Sequence, residues 1–430
     1  MLRRARPIAF VLACAALAWG QGLPPAGRQA NIDSFEKAWR LVRDRYWDPN
    51  LGGLDWQAVH DELRPRIEAA STMAEARGVI ADMAARMNRS HFGVISGELY
   101  SDLGAAESGV TRDADAGIEV RAIDGRAVVI SVDPGSPAAA KGVTPGWEIE
   151  RINDVEISPR LRNIRDGLGN STLLEIRLER AIELRLEGRE GTSAQVVFRD
   201  GADRAVTLAI ERVRPRGRLS RLGNMPPIYF WSEWRKVRPD VGYVRFNAFF
   251  EPETLTRTFE DAVAGCAGCK GFVIDLRGNP GGIAGLSMGV AGWFVDRPGL
   301  RLGTTHMRGA TINFVIFPRP RPFVGPLAIL VDGCSASTAE IFTGGLQDIK
   351  RARVFGTRTA GAALPSVIER LPNGDGFQYA IADYISEGGK PLEGNGVIPD
   401  EQVRPTRRDL LDGRDTALEA ALAWIAGRKE

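Results

Sequence analysis

One stretch, residues 327–346, constrains this chain more than any other. Leu327-Ala328-Ile329-Leu330-Val331 is a short apolar run stopped by Asp332-Gly333. A run this short, bounded by a turn signal, reads as a buried strand. Cys334-Ser335-Ala336-Ser337-Thr338-Ala339-Glu340 follows, then Ile341-Phe342-Thr343-Gly344-Gly345-Leu346. Ser or Thr with an acid three residues on marks a helix start. A strand, a tight turn of small residues and a helix together project a serine hydroxyl from a sharp bend. The first free N–H groups of the helix then face any negative charge that develops beside it. An ordinary Ser/Thr cap on an α/β helix has the same local pattern, so the rest of the chain must decide.

The 430 residues suffice for two or three domains. Lys+Arg 56 against Asp+Glu 54 leaves a formal charge of +2, which argues against nucleic acid as a partner. Histidine is scarce: His60, His91 and His306 are the three candidates for any imidazole chemistry. That scarcity also argues against a His-rich metal site, and neither metal nor cofactor is expected. Residues 1–20 read as a signal peptide. Arg3, Arg4 and Arg6 precede an apolar segment, 8–18, too short to span a bilayer, and Ala18-Trp19-Gly20 leads to Gln21. The chain therefore reads as exported, to the periplasm or cell envelope. Val11-Leu12-Ala13-Cys14 also resembles a lipoprotein signal, so membrane attachment is expected only if Cys14 is lipidated. Cys266 and Cys269 form one C-x-x-C, which in an exported protein reads as a local disulfide or as two free thiols. Cys334 reads as a small buried residue, with a nucleophilic role as the alternative.

Residues 28–95 read as helical. Asp33-Ser34 is expected to cap a helix carrying Phe35, Ala38, Trp39, Val42 and Tyr46; Asp48-Pro49-Asn50 and Gly52-Gly53 break it. Trp56, Val59, Leu63 and Ile67 repeat at helical spacing, with His60 as an ordinary helix-surface histidine. Ser71-Thr72-Met73-Ala74-Glu75 opens a third helix that runs to about Met87. Ser90-His91 then falls at a helix-to-strand junction, from which a side chain can enter a cleft. Residues 113–213 are different: short β-rich segments, many turns, and an insertion over 159–182. From 226 to 428 strands alternate with helices, as in a parallel α/β core. Helices are expected at 253–263, 284–294 and 415–425. The turn Gly278-Asn279-Pro280-Gly281-Gly282 exposes N–H groups at a helix start, the geometry of one side of an oxyanion hole.

Leu276-Arg-Gly-Asn-Pro-Gly-Gly282, Cys334-Ser-Ala-Ser-Thr-Ala-Glu-Ile-Phe342, Leu346-Gln-Asp348, Gly356-Thr-Arg-Thr-Ala-Gly361 and Gly396-Val-Ile-Pro-Asp400 occur in this order. Together they resemble the carboxyl-terminal (tail-specific) processing serine peptidases, which include the tricorn core protease. The resemblance implies a crotonase-like parallel α/β core, an N-terminal helical region and an inserted PDZ-like β-rich module. Gly117-Ile118-Glu119-Val120 stands where a PDZ carboxylate-binding loop would lie, and implies a peptide added as a strand.

The family's serine motif falls on Ser337, with Ser335 as the nearest rival. Many members use a lysine base a few residues after the Thr-x-Gly turn; here Ala362 stands at that place. The resemblance to the tricorn branch supplies another base, because that branch uses a histidine after a serine and a glutamate near Gly-x-x-Pro-Asp. Ser90-His91 and Glu393 match. The implied mechanism has His91 activating Ser337, Glu393 orienting His91 through Ser90, and N–H groups of Gly281 or Gly282 and Thr338 holding the oxyanion. The implied substrate is a protein or peptide. A non-catalytic binding protein on the same fold, or a hydrolase of a non-peptide ester or amide, are the alternatives. Oligomeric state is not encoded in any motif.

Overall fold

The structure, a computed structural model, describes residues 24–99, 114–169 and 171–428. The expected signal peptide and Cys14 lie outside the described residues.

Three helices, Pro25–Arg45, Trp56–Ala69 and Met73–Ala85, open the described chain. Their apolar residues recur every three or four positions and meet in one cluster: Phe35, Ala38, Trp39 and Val42 against Val59, Leu63, Ile67, Val79, Ile80 and Met83. Trp39 and Trp56 lock the first two helices reciprocally. Each indole N–H donates to the other residue's carbonyl, at 2.9 and 3.0 Å. Asp33-Ser34 does not cap the first helix, which starts eight residues earlier at Pro25. Ser34 lies inside it and donates its hydroxyl to Ala30 O at 2.7 Å, one turn back. The third helix does carry the expected cap, a reciprocal Thr72–Glu75 box, and it ends at Ala85. Beyond it, Gly93–Ile95 pairs antiparallel with Gly376–Ala380. This pairing fixes the Ser90-His91 junction against the far C-terminal part of the chain.

Residues 118–211 form a six-stranded antiparallel sheet: five strands run in the order Ile118–Ile123, Arg126–Val132, Glu148–Ile152, Ser193–Arg199, Ala205–Glu211, and the short strand Val155–Glu156 pairs with Glu148–Ile152. The segment expected as an insertion is two helices, Ile157–Leu168 and Leu174–Leu186, whose Ile157, Leu161, Leu178 and Ile182 enter the core of this sheet.

A second six-stranded sheet, mostly parallel, runs in the order Ser232–Arg238, Val241–Phe246, Gly271–Asp275, Leu327–Val331, Arg353–Gly356, Glu401–Gln402. The first pair is antiparallel and the rest are parallel. Leu327–Val331 lies inside it and is buried throughout. Side chains alternate across a strand, so its residues serve two faces. Leu327, Ile329 and Val331 join the helices Pro252–Gly265, Ala284–Ala291 and Thr338–Asp348. Ala328 and Leu330 meet Ala421, Leu422 and Ile425 of the closing helix Thr416–Ala426. Each fully buried Leu, Ile or Val of this strand contributes roughly 1.5–3 kcal/mol. The helix expected over 284–294 ends at Ala291, because Trp293 and Phe294 donate three residues back, to Val290 and Ala291. Cys266 and Cys269 form a disulfide. No helix among the described residues is long and apolar enough to cross a membrane.

Candidate active site

Ser337 sits at the start of the helix Thr338–Asp348 with φ 55° and ψ −120°. A non-glycine residue holds a positive φ only where its surroundings impose it. Here Gly281 presses on the turn: a Cβ at Gly281 would lie 2.7 Å from both Ser337 Cβ and Thr338 N. The rival Ser335 is fully buried. Its hydroxyl donates to Leu276 O at 2.8 Å and accepts from Asp332 N–H at 3.0 Å, so it ties the turn to the neighbouring strand. Cys334 is a buried thiol, pushed by burial well above its usual pKa, which fits the packing role and not the nucleophilic one.

The structure separates the three oxyanion candidates. The N–H of Gly281 donates to Asn279 Oδ1 at 2.9 Å and is engaged. Of the expected pair Gly281 or Gly282, Gly281 is thus the one whose N–H is taken, and its lack of a side chain lets it approach the serine turn closely. The N–H groups of Gly282 and Thr338 have no acceptor among the described residues. Phe249 clamps the segment around Gly282, donating to Gly281 O and accepting from Ile283 N–H at 2.7 and 2.8 Å. Thr338 Oγ1 donates to Gly282 O at 2.9 Å, which fixes the two free donors relative to each other.

His91 also has a positive φ, 60°. Its Nδ1 stands 2.7 Å from Ser90 Oγ. Ser90 Oγ in turn donates to Glu393 Oε2 at 2.7 Å, and Ser90 N–H donates to Glu393 Oε1 at 2.7 Å. A hydroxyl has one proton, and a carboxylate can only accept it. Ser90 must therefore act as acceptor towards His91, whose Nδ1 carries the ring proton. Nε2 keeps its lone pair. Burial pulls the His91 pKa down to about 4, so the ring is neutral at pH 7. The Glu393 carboxylate accepts a third bond, at Oε2, from Ala363 N–H at 3.1 Å. His60 and His306 are elsewhere: His60 contacts Glu36 and Asp61, and His306 contacts Asp383.

Glu340, which the sequence marked only as a helix cap, is a central part of the site. It is fully buried. It accepts from Thr359 Oγ1 (2.5 Å), Gly361 N–H (2.7 Å), Ala362 N–H (2.8 Å) and Ser337 N–H (3.1 Å). The capping pattern pointed to Glu340, but its burial depends on the loop 359–363, distant in sequence.

The residues of the expected peptide-binding loop are placed less openly. Val120 is buried in its own module, and Gly117 donates to Asp115 Oδ1 at 2.8 Å. Ile118 begins the edge strand of the antiparallel sheet. The Glu119 carboxylate pairs with Arg245 of the mostly parallel sheet at 2.9 Å and with Arg121 at 3.0 Å. Arg121 also reaches Asp332, at the base of the serine turn, at 2.8 Å. The strand following this loop is thus tied to the turn that carries Ser337.

Two family models match parts of the chain. Residues 240–403 match the model of Peptidase family S41, and residues 31–85 match the Tricorn protease C1 domain. The chain is 27% identical over 377 residues to carboxyl-terminal-processing peptidase 2, chloroplastic, of Arabidopsis thaliana, covering 86% of this chain and 68% of that protein. It is 26% identical over 373 residues to the carboxyl-terminal-processing protease of Picosynechococcus sp., covering 86% and 83%. Among solved structures, the photosystem II D1 C-terminal processing protease superposes with a TM-score of 0.57 at 22% identity, over 92% of this chain and 99% of that one. The tricorn protease does so with a TM-score of 0.52 at 17% identity, over 93% of this chain and 37% of that one. The matched model and these relatives identify residues 240–403 as a peptidase family S41 domain, that of a serine-type peptidase.

Proposed function

We propose that the chain is an exported serine endopeptidase with Ser337 as nucleophile and His91 as base. His91 Nε2 takes the proton from Ser337 Oγ as the Oγ–C bond to the peptide carbonyl forms. The N–H groups of Gly282 and Thr338 hold the oxygen that becomes negative; one such donor is typically worth about 3 kcal/mol in the transition state. The protonated His91 then gives its proton to the leaving amine, and the C–N bond breaks. Water, deprotonated by His91, releases the acyl group. Glu393 stabilises the imidazolium through Ser90. The observation that carries this reading is the hydrogen-bond direction at Ser90, which leaves Nε2 of His91 as the free base.

In the same reading the β-rich module is PDZ-like and binds or gates the peptide, while the mostly parallel layer is the crotonase-like core. The edge position of Ile118–Ile123 supports strand addition, and the Arg121–Asp332 pair supports coupling to the serine turn.

Labelling with a fluorophosphonate, followed by peptide mass spectrometry, tests the assignment. The expected adduct is on Ser337 and is lost in Ser337→Ala and in His91→Ala. An adduct on another serine, or undiminished labelling of His91→Ala, would overturn it.

A further inference from the structure

Two loops, 359–363 and 393–397, meet behind the candidate site. Glycines let them come this close. A Cβ at Gly361 would lie 3.1 Å from Asn395 N and from Gly396 N, and one at Gly396 would lie 2.6 Å from Thr359 O. Both glycines hold a positive φ, 65° and 68°. Main-chain bonds stitch the loops together: Thr359 N–H donates to Val397 O at 3.1 Å, and Gly394 N–H donates to Gly361 O at 2.8 Å.

One buried side chain also crosses this seam. Thr359 is 1% exposed. Its Oγ1 accepts from Val397 N–H at 2.6 Å and stands 2.5 Å from Glu340 Oε1. An N–H can only donate and a hydroxyl has one proton, so that proton goes to Glu340. The two ends of this bridge serve different halves of the site. Glu340 accepts the Ser337 N–H at 3.1 Å, on the nucleophile side. Val397 closes the loop whose Glu393 takes both the N–H and the hydroxyl of Ser90, on the base side.

We infer that Thr359 is a positioning residue: its hydroxyl sets the separation of Ser337 and His91 by tying Glu340 to the loop of Glu393. It acts through these two carboxylates and not on the reacting atoms. The inference rests on the assignment of Ser337 as nucleophile and His91 as base. Proton transfer between them needs hydrogen-bond reach, and a misplacement of about 1 Å costs about 10²-fold in rate. Thr359→Val keeps the side-chain shape, removes both bonds and leaves the Val397 N–H buried without that acceptor. Thr359→Ser keeps the hydroxyl.

The test uses the full chain and reads fluorophosphonate labelling of Ser337 as a function of probe concentration. That splits the maximal labelling rate from the half-saturating concentration. In Thr359→Val the maximal rate should fall about 10–100-fold, with the half-saturating concentration within about twofold of wild type, because alignment changes and the probe's contacts do not. Thr359→Ser should recover most of the rate. Thr359→Cys, a weaker donor and acceptor, replaces Thr359→Val should that variant not fold, and its rate should also fall. Glu393→Gln already loosens the base side, so adding Thr359→Val to it should cost little more; a merely structural role would give additive losses. A wild-type rate in folded Thr359→Val or Thr359→Cys, no recovery in Thr359→Ser, or additive losses with Glu393→Gln would each overturn the inference and leave Ser337 as nucleophile. A wild type unlabelled at Ser337 would remove the nucleophile assignment, and this inference with it.

Discussion

Ala362 accepts the main-chain N–H of Ser337 on its carbonyl oxygen at 2.8 Å. The other end of the same peptide unit, the N–H of Ala363, donates to Glu393 at 3.1 Å. One rigid amide plane therefore joins the candidate nucleophile to the carboxylate that holds Ser90 and, through it, His91. The resemblance leads to the expectation of a lysine where Ala362 stands. In this chain the backbone of that position holds the parts together instead.

The Ser90–His91–Glu393 chain predicts a graded series. His91→Ala should lower kcat by about 10²–10⁴-fold, since it removes the proposed base. Ser90→Ala keeps the imidazole but removes the acceptor that selects its tautomer, so its loss should be smaller than that of His91→Ala. Glu393→Gln should fall with Ser90→Ala, and the double variant should be little worse than either single one. Steady-state kinetics on one peptide substrate decides this; additive losses at Ser90 and Glu393 would separate their roles.

The pH profile follows from burial of His91. Its folded pKa is lowered from 6.5 to about 4, so protonation removes the base only as pH falls through that lower value. The acid limb of kcat/KM should therefore lie near pH 4, with little change between pH 5 and 7. A limb near 6.5 would mean that the ring is solvated in the free enzyme.

Gly281→Ala should abolish most activity without replacing any candidate catalytic side chain. The new Cβ would meet Ser337 Cβ and Thr338 N at 2.7 Å, and φ at this position is 95°. Both the serine and a free oxyanion donor would be displaced. Loss of one such donor typically lowers kcat by about 10²–10³-fold. The variant should also label more slowly with fluorophosphonate, whereas a purely structural effect would appear as lost helical signal.

Glu340→Gln probes the buried carboxylate. A Gln amide presents N–H groups to donors that now face carboxylate oxygens, so the variant should lose roughly 2–5 kcal/mol of stability. Burial pushes the wild-type carboxyl up to about 7 from 4.5. A raised folded pKa favours the protonated native state, so this contribution is full below pH 4.5 and is lost as pH rises through 7. The gap in thermal midpoint between wild type and variant should narrow from pH 4.5 to pH 8. A gap that widens would show that the four donors keep Glu340 ionised throughout.

The sequence by itself determined the local pieces. The apolar run 327–331 and its small-residue turn gave a buried strand and a helix headed by Ser337, because period and turn chemistry are local properties. The motif order marked His91, Ser90 and Glu393 as partners, although Ser90 and Glu393 are 303 residues apart. Tertiary structure decided what no spacing encodes. The direction of the Gly281 N–H, towards Asn279, depends on backbone dihedrals that a glycine leaves open. The tautomer of His91 depends on a hydroxyl whose single proton goes to Glu393. The burial of Glu340, and the packing of Leu173 and Ile176 on Ala336, Ala360 and Ala362, arise from segments far apart in sequence meeting on one surface. Local pattern selects which elements form; long-range packing decides which polar groups stay free to do chemistry.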